Sequence, residues 1–156
     1  VPVLSVDQAI AIALYTYDLG MLSMDGSDNF YFVLNEMLRK RNQDSVRAIR
    51  AYLFYFLGAL DRLPGFRGTV LRGVPASSMN IVQDKYKKHK EISWCAVTST
   101  TTDETTAKDF ARPGGIIFRA EVKEGRYIKA YSAIPNEAEI VLSPNSRFVV
   151  VQECAQ

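Results

Sequence analysis

Thr69-Val70-Leu71-Arg72-Gly73-Val74 is where the chain changes character. β-branched residues on either side of a leucine, with a glycine near the end, read as a short strand. Residues 1–63, ahead of this hexapeptide, read as helical, and most of the chain after it reads as strand. Helices first and strands afterwards predict an α+β architecture with a largely antiparallel sheet.

Residues 1–63 carry the helical half. Ser5 followed by Gln8 has the spacing of a capping box. Val6, Ala9, Ile10, Ala13, Leu14 and Tyr17 then recur every three or four residues, which predicts one inward stripe. Met24-Asp25-Gly26-Ser27-Asp28-Asn29 is loop chemistry. A second helix is expected from Phe30 to Arg41, with Phe30, Val33, Leu34, Met37 and Leu38 inward. A third is expected to start at Asp44 or Ser45, bury Val46, Ile49, Leu53, Phe56, Leu57 and Leu60, and stop before Pro64-Gly65. The aromatic residues of these helices, Tyr15 and Tyr17 among them, are expected to pack in the core.

Beyond Val74, further strands are expected at Ile92–Val97, Ile116–Val122, Tyr127-Ile128, Ala138–Leu142 and Arg147–Gln152, with a short helix from Asp103 to Phe110. Lys85-Tyr86-Lys87-Lys88-His89-Lys90 reads as a solvated helix face, so His89 is expected to be exposed. No internal repeat or low-complexity linker interrupts the chain.

Composition narrows the chemistry. The 156 residues are about one domain, 47% hydrophobic and 23% charged, an ordinary globular mixture. A net charge of +2 does not favour nucleic acid as the primary partner. With 1 histidine and 2 cysteines, a His-rich metal site, a four-cysteine zinc site and a disulfide scaffold are excluded by count. Cys95 and Cys154 are expected to be thiols rather than a bridge. The longest uncharged apolar stretch, Ala51–Leu60, is about half of what a membrane span needs. The first residues lack a signal-peptide layout, and Val1 in place of Met points to a trimmed or processed chain. Compartment is not legible; a secreted effector and a cytoplasmic protein both fit.

Three features carry chemistry. In Glu137-Ala138-Glu139, strand alternation would put both carboxylates on one face. Their repulsion would suit acid–base work or cation stabilisation, though the same pattern occurs on solvated strands. Ser99-Thr100-Thr101 comes after an apolar strand, where hydroxyls either orient a carboxylate or, at Thr101 and Thr102, cap the next helix. Arg72 before Gly73 suits a bidentate anion contact beside a close ligand approach, or else a buried salt bridge.

In this order, arginine, then Ser-Thr-hydroxyl, then Glu-x-Glu, the set resembles the R-S-E class of mono-ADP-ribosyltransferases. That class includes cholera-toxin-like toxins and eukaryotic arginine-specific enzymes. Leu60-Asp61-Arg62-Leu63-Pro64, Gly68–Gly73, Glu124–Ile128, Asn136–Pro144 and Phe148-Val149-Val150 extend the resemblance over nearly the whole chain. Thr101 departs from the usual second serine but keeps a hydroxyl. Arg72 stands where the poly(ADP-ribose) polymerase type has a histidine.

The resemblance implies one catalytic domain, with 1–63 as a helical lobe and 64–156 as a β-rich core whose two packed sheets form an NAD cleft. Arg72 would hold an NAD phosphate, the Gly73 backbone the nicotinamide carboxamide, and Ser99 would position Glu139. Phe110 would pack on the nicotinamide ring, and Arg112, in a mobile Arg112–Gly115 loop, would make a second phosphate contact. Glu139 would stabilise the oxocarbenium-like transition state, and Glu137 would take a proton from the incoming arginine. Lys129–Asn136 would be the substrate-recognition turn, with Tyr131 an exposed aromatic in it. The implied reaction transfers ADP-ribose from NAD to an arginine of an acceptor protein, without metal, by a monomer. An NAD glycohydrolase, or a non-catalytic module keeping the fold, are the competing readings.

Overall fold

A computed structural model describes residues 2–17 and 29–154. The loop expected at Met24–Asn29 lies outside these residues except for Asn29. The order is α1 (Val6–Thr16), α2 (Phe30–Lys40), α3 (Gln43–Arg62), β1 (Gly65–Val74), α4 (Met79–Lys85), β2 (Glu91–Trp94), β3 (Thr98–Thr101), α5 (Glu104–Ala111), β4 (Ile116–Tyr127), β5 (Glu139–Leu142) and β6 (Ser146–Val149). Helices precede most of the sheet, as the periodicity predicts, and every strand pairing is antiparallel.

The capping box at α1 forms: Ser5 Oγ accepts from the Gln8 N–H, and Gln8 Oε1 accepts from the Ser5 N–H. The buried face, however, is Ala11, Ile12 and Tyr15. The expected stripe points outward, with Val6 75% and Ile10 57% exposed. Apolar residues surround nearly the whole of this helix, so periodicity alone could not choose its inner face. Packing against α3 and the sheet made the choice.

Arg41 turns the chain into the left-handed region at the end of α2 (φ 53°). Asn42 then caps α3, its Oδ1 accepting from Ser45 N–H at 2.7 Å. From α3, Ile49, Phe56, Ala59 and Leu60 enter the core. Ring contacts run Phe30–Tyr52 (4.6 Å), Tyr52–Phe56 (5.5 Å) and Phe56–Tyr15 (5.0 Å). Core packing thus holds for Tyr15, Phe30, Tyr52 and Phe56 but not for Tyr17, Tyr31, Phe32, Phe54 and Tyr55, which are exposed, Phe54 most of all at 74%.

In the larger sheet the order β1-β3-β5-β4 closes on itself, because β4 pairs with both β1 and β5. Val70, Val122, Ile140 and Leu142 form its inner core. Ile128 and Val141 join the helical core instead, which ties the two halves together. β2 and β6 form a separate pair. The apolar run expected as one strand at Ile92–Val97 therefore stops at Trp94, and the hydroxyl-rich segment after it is a strand of the other sheet. Its hydroxyls find backbone partners: Thr98 Oγ1 donates to Ala96 O and Thr100 Oγ1 to Ile140 O. The basic run is not a helix face; α4 ends at Lys85 and the rest turns into β2, with His89 exposed at φ 68°. Cys95 and Cys154 stand as thiols. Among the described residues, no helix is long and apolar enough to cross a membrane.

Candidate active site

Glu139 is the first residue of β5 and is only 8% exposed. In the β3–β5 ladder it lies opposite Thr101, while Ser99 lies opposite Val141. Directly opposed residues share a face, and residues two apart share it as well. Ser99, Thr101 and Glu139 therefore look the same way, with Ser99 and Glu139 as diagonal neighbours. Leu71, opposite Thr101, brings β1 to the same edge.

Ser99 is gripped at two points. The Arg72 Nη1 donates to its carbonyl oxygen at 2.8 Å. Its hydroxyl meets the Tyr15 hydroxyl at 2.8 Å. The Arg72 guanidinium also sits 5.9 Å from the Trp94 ring centre. No ion pair among the described residues involves Arg72. Burial lowers its pKa from the ordinary arginine value, while the Tyr15 and Tyr86 phenols act the other way. It remains cationic at neutral pH. Tyr15 is displaced upward, first by burial and then by the Glu139 carboxylate, so it is a neutral phenol.

Arg72, Gly73, Ser99, Phe110 and Glu139 all line one cleft of about 260 Å³. Phe110 is 54% exposed there, which removes the core reading for it. For Gly73 the need for glycine has a second cause. A Cβ on it would lie 2.0 Å from Ala107 O and 2.6 Å from Ala111 N, so α5 rests directly on β1. Past Leu71, β1 continues its pairing with β4 up to Val74↔Ile116.

Other expectations change. The strand begins at Glu139; Glu137 closes a 3-10 turn (Pro135–Glu137), and Ala138 takes φ 49°. Alternation along a strand therefore does not pair the two carboxylates. Arg112 is not among the cleft-lining residues. It caps the C-terminus of α5 at φ 60°, and the turn there is closed by the Gly115 N–H donating to Arg112 O at 3.0 Å. Tyr131 is no exposed aromatic: it packs against the helical core, and its hydroxyl donates to Pro2 O and accepts from Leu4 N–H. Asp103, not Thr101 or Thr102, caps α5, with Thr101 Oγ1 accepting from the Asp103 N–H.

The cleft also has a helical wall that the sequence did not announce. Tyr15, Thr16, Tyr17, Asn29 and Tyr31 line it from the ends of α1 and α2. Thr16 Oγ1 accepts from the Ala133 N–H at 2.8 Å, joining α1 to the segment before Glu137. The one usable signal was Tyr15 itself, since a buried phenol must find a hydrogen-bond partner. The described residues contain no group of three or more His, Cys, Asp or Glu able to hold a metal ion.

Comparison with known proteins bears on the family and the fold. A family model described as NAD:arginine ADP-ribosyltransferase matches residues 2–156. Mav of Mycobacterium avium (strain 104), named as an NAD(+)–arginine ADP-ribosyltransferase, is 37% identical over 97 residues, 61% of this chain and 11% of Mav. Vis of Vibrio splendidus (strain 12B01), named likewise, is 30% identical over 114 residues, 66% of this chain and 44% of Vis. The chain thus spans less than half the length of these two relatives. Among solved structures, the ADP-ribosyltransferase HopU1 of Pseudomonas syringae pv. Tomato DC3000 superposes with a TM-score of 0.73 at 26% identity, covering 91% of this chain and 68% of HopU1. Vis in complex with agmatine shares the fold, with a TM-score of 0.68 at 24% identity over 96% of this chain and 68% of Vis. With a family match running from residue 2 to residue 156, over a fold and cleft of this kind, the chain belongs to the NAD:arginine ADP-ribosyltransferase family.

Proposed function

We propose that this domain transfers ADP-ribose from NAD to the guanidino group of an arginine on an acceptor protein, releasing nicotinamide. The observation that carries this reading is Glu139, a buried carboxylate in one cleft with Arg72 and Ser99. The donor set suits NAD: a guanidinium for the diphosphate, and a carboxylate for the ribose that gains positive charge. The names of Mav and Vis support arginine as the acceptor, and so does the complex of Vis with agmatine, a small guanidine. Both halves of the chain supply the cleft, so they act in this proposal as one catalytic unit.

In the proposed mechanism Arg72 fixes a phosphate through guanidinium N–H donors. The Gly73 backbone and the Phe110 ring hold the nicotinamide end. Glu139 stabilises the cation that develops as the glycosidic bond breaks, a contribution that is large in a site shielded from water. Nicotinamide departs as a neutral base and takes the bonding pair, so no general acid is required. A new C–N bond forms to the arginine, whose proton goes to Glu137.

Incubation with labelled NAD and an arginine-bearing acceptor tests the proposal, with free and protein-bound ADP-ribose measured separately. Glu139→Ala is expected to lower both products about 10²- to 10³-fold. Glu137→Gln is expected to remove arginine labelling and leave hydrolysis. Undiminished cleavage in Glu139→Ala would falsify the mechanism. Product that is entirely free ADP-ribose in the wild type would make the chain an NAD glycohydrolase. Absence of NAD binding would make it an interaction module.

A further inference from the structure

Tyr15 belongs to a helix that the family reading leaves idle, yet its hydroxyl reaches the centre of the cleft. It projects from the last turn of α1, is 2% exposed, and ends 2.8 Å from Ser99 Oγ. Its ring is held by Phe56 at 5.0 Å and Tyr31 at 6.4 Å between centroids, so the phenol cannot swing away without disturbing the helical core. Ser99 cannot move as a unit either, because Arg72 holds its carbonyl at 2.8 Å.

A serine hydroxyl has one proton to give and two lone pairs to offer, and its rotor is otherwise loose. Either hydroxyl can donate in the Tyr15–Ser99 pair; Tyr15 has a proton to give, and Ser99 Oγ has lone pairs to take it. Burial and the nearby Glu139 carboxylate hold the phenol protonated, so it keeps that proton over the working pH range. In the arrangement with the phenol donating, Ser99 Oγ accepts and its own proton is available to a further acceptor; Glu139 is its diagonal neighbour across β3 and β5. We infer that Tyr15 is a positioning residue for the proposed reaction: by fixing the Ser99 hydroxyl it orients the Glu139 carboxylate from the helical wall of the cleft. The inference rests on the NAD-cleaving reading of the site.

The test is a double-mutant cycle with Tyr15→Phe and Ser99→Ala, measuring kcat and KM for NAD cleavage together with the melting temperature. Removing only the hydroxyl leaves the ring contacts, so Tyr15→Phe is expected to fold. Its kcat is expected to fall about five- to tenfold, the range for one net hydrogen bond, with KM for NAD within about twofold. In the double variant kcat is expected to be no lower than in Ser99→Ala, because both changes break one link. An unchanged kcat in Tyr15→Phe overturns the inference, whatever happens to melting. Losses that multiply in the double variant overturn it too, and Ser99→Ala reports on the link even where Tyr15→Phe folds poorly. A wild-type chain that cleaves no NAD removes the underlying reading and this inference together. An active wild type matched by Tyr15→Phe removes the inference alone.

Discussion

Gly73→Ala separates two reasons for a glycine beside Arg72. The sequence alone suggests room for a ligand. In the fold, the position of an added Cβ is 2.0 Å from Ala107 O, 2.6 Å from Ala111 N and 3.0 Å from Phe110 Cβ. Two of these are backbone atoms of α5, which cannot rotate aside as a side-chain tip can. Relief needs the helix to lift off β1 by about 1 Å, since Cβ contacts below about 3 Å are not tolerated. Overpacking of this kind costs typically 1–3 kcal/mol, and contact with helical backbone puts this site at about 3 kcal/mol. For a chain of this size, that is a fall of roughly 6–12 °C in melting temperature. Thermal unfolding followed by circular dichroism measures it. NAD cleavage is expected to fall as well, because Thr106, Ala107 and Phe110 of α5 line the cleft. A variant that melts within about 2 °C of wild type while losing NAD affinity would refute the packing argument and restore ligand approach as the sole reason for the glycine.

Two more outcomes rest on local chemistry. Tyr15 and Tyr52 are both displaced upward from an ordinary value of 10.0, chiefly by burial. Below that value both states hold the proton and the stabilising effect is complete. Above it the unfolded chain loses protons that the folded chain keeps, so stability falls by about 1.4 kcal/mol per pH unit for each tyrosine. Melting temperature is therefore expected to drop steeply above about pH 10; Tyr15→Phe and Tyr52→Phe should each flatten the slope, and an unchanged slope in both would show that other groups govern it. Ser5→Ala removes the capping-box acceptor for the Gln8 N–H. It is expected to cost about 1 kcal/mol and lower melting by about 2–4 °C with NAD cleavage retained; no shift in melting would mean the cap is worth nothing in this fold.

Legibility differs with the range of the interactions involved. The capping box at Ser5, the stop of α3 before Pro64 and the helix after Asp103 are set within a few residues, and each is readable. The inner face of α1 is not, because Val6-Ile10-Leu14 and Ala11-Ile12-Tyr15 are both apolar faces. Ile92–Val97 reads as one strand because nothing local marks the passage from one sheet to the other after Trp94. The Glu-x-Glu pattern reads as continuous strand, but the left-handed Ala138 ends the strand before Glu137, so β5 starts at Glu139.

Periodicity and spacing were enough to set the class of the fold, and the resemblance carried by Arg72, Ser99, Glu137 and Glu139 in that order named the candidate site residues. Such properties survive without a third dimension. Which groups meet was settled in three dimensions alone. Folding brought Ser99 between Arg72 and Tyr15, set α5 on Gly73, moved Arg112 outside the cleft lining and sent Tyr131 to tie down Pro2 and Leu4. Those contacts join residues far apart in the chain, and what selects them is close packing with every buried polar group partnered. That condition belongs to the assembled core and is not written in any one segment.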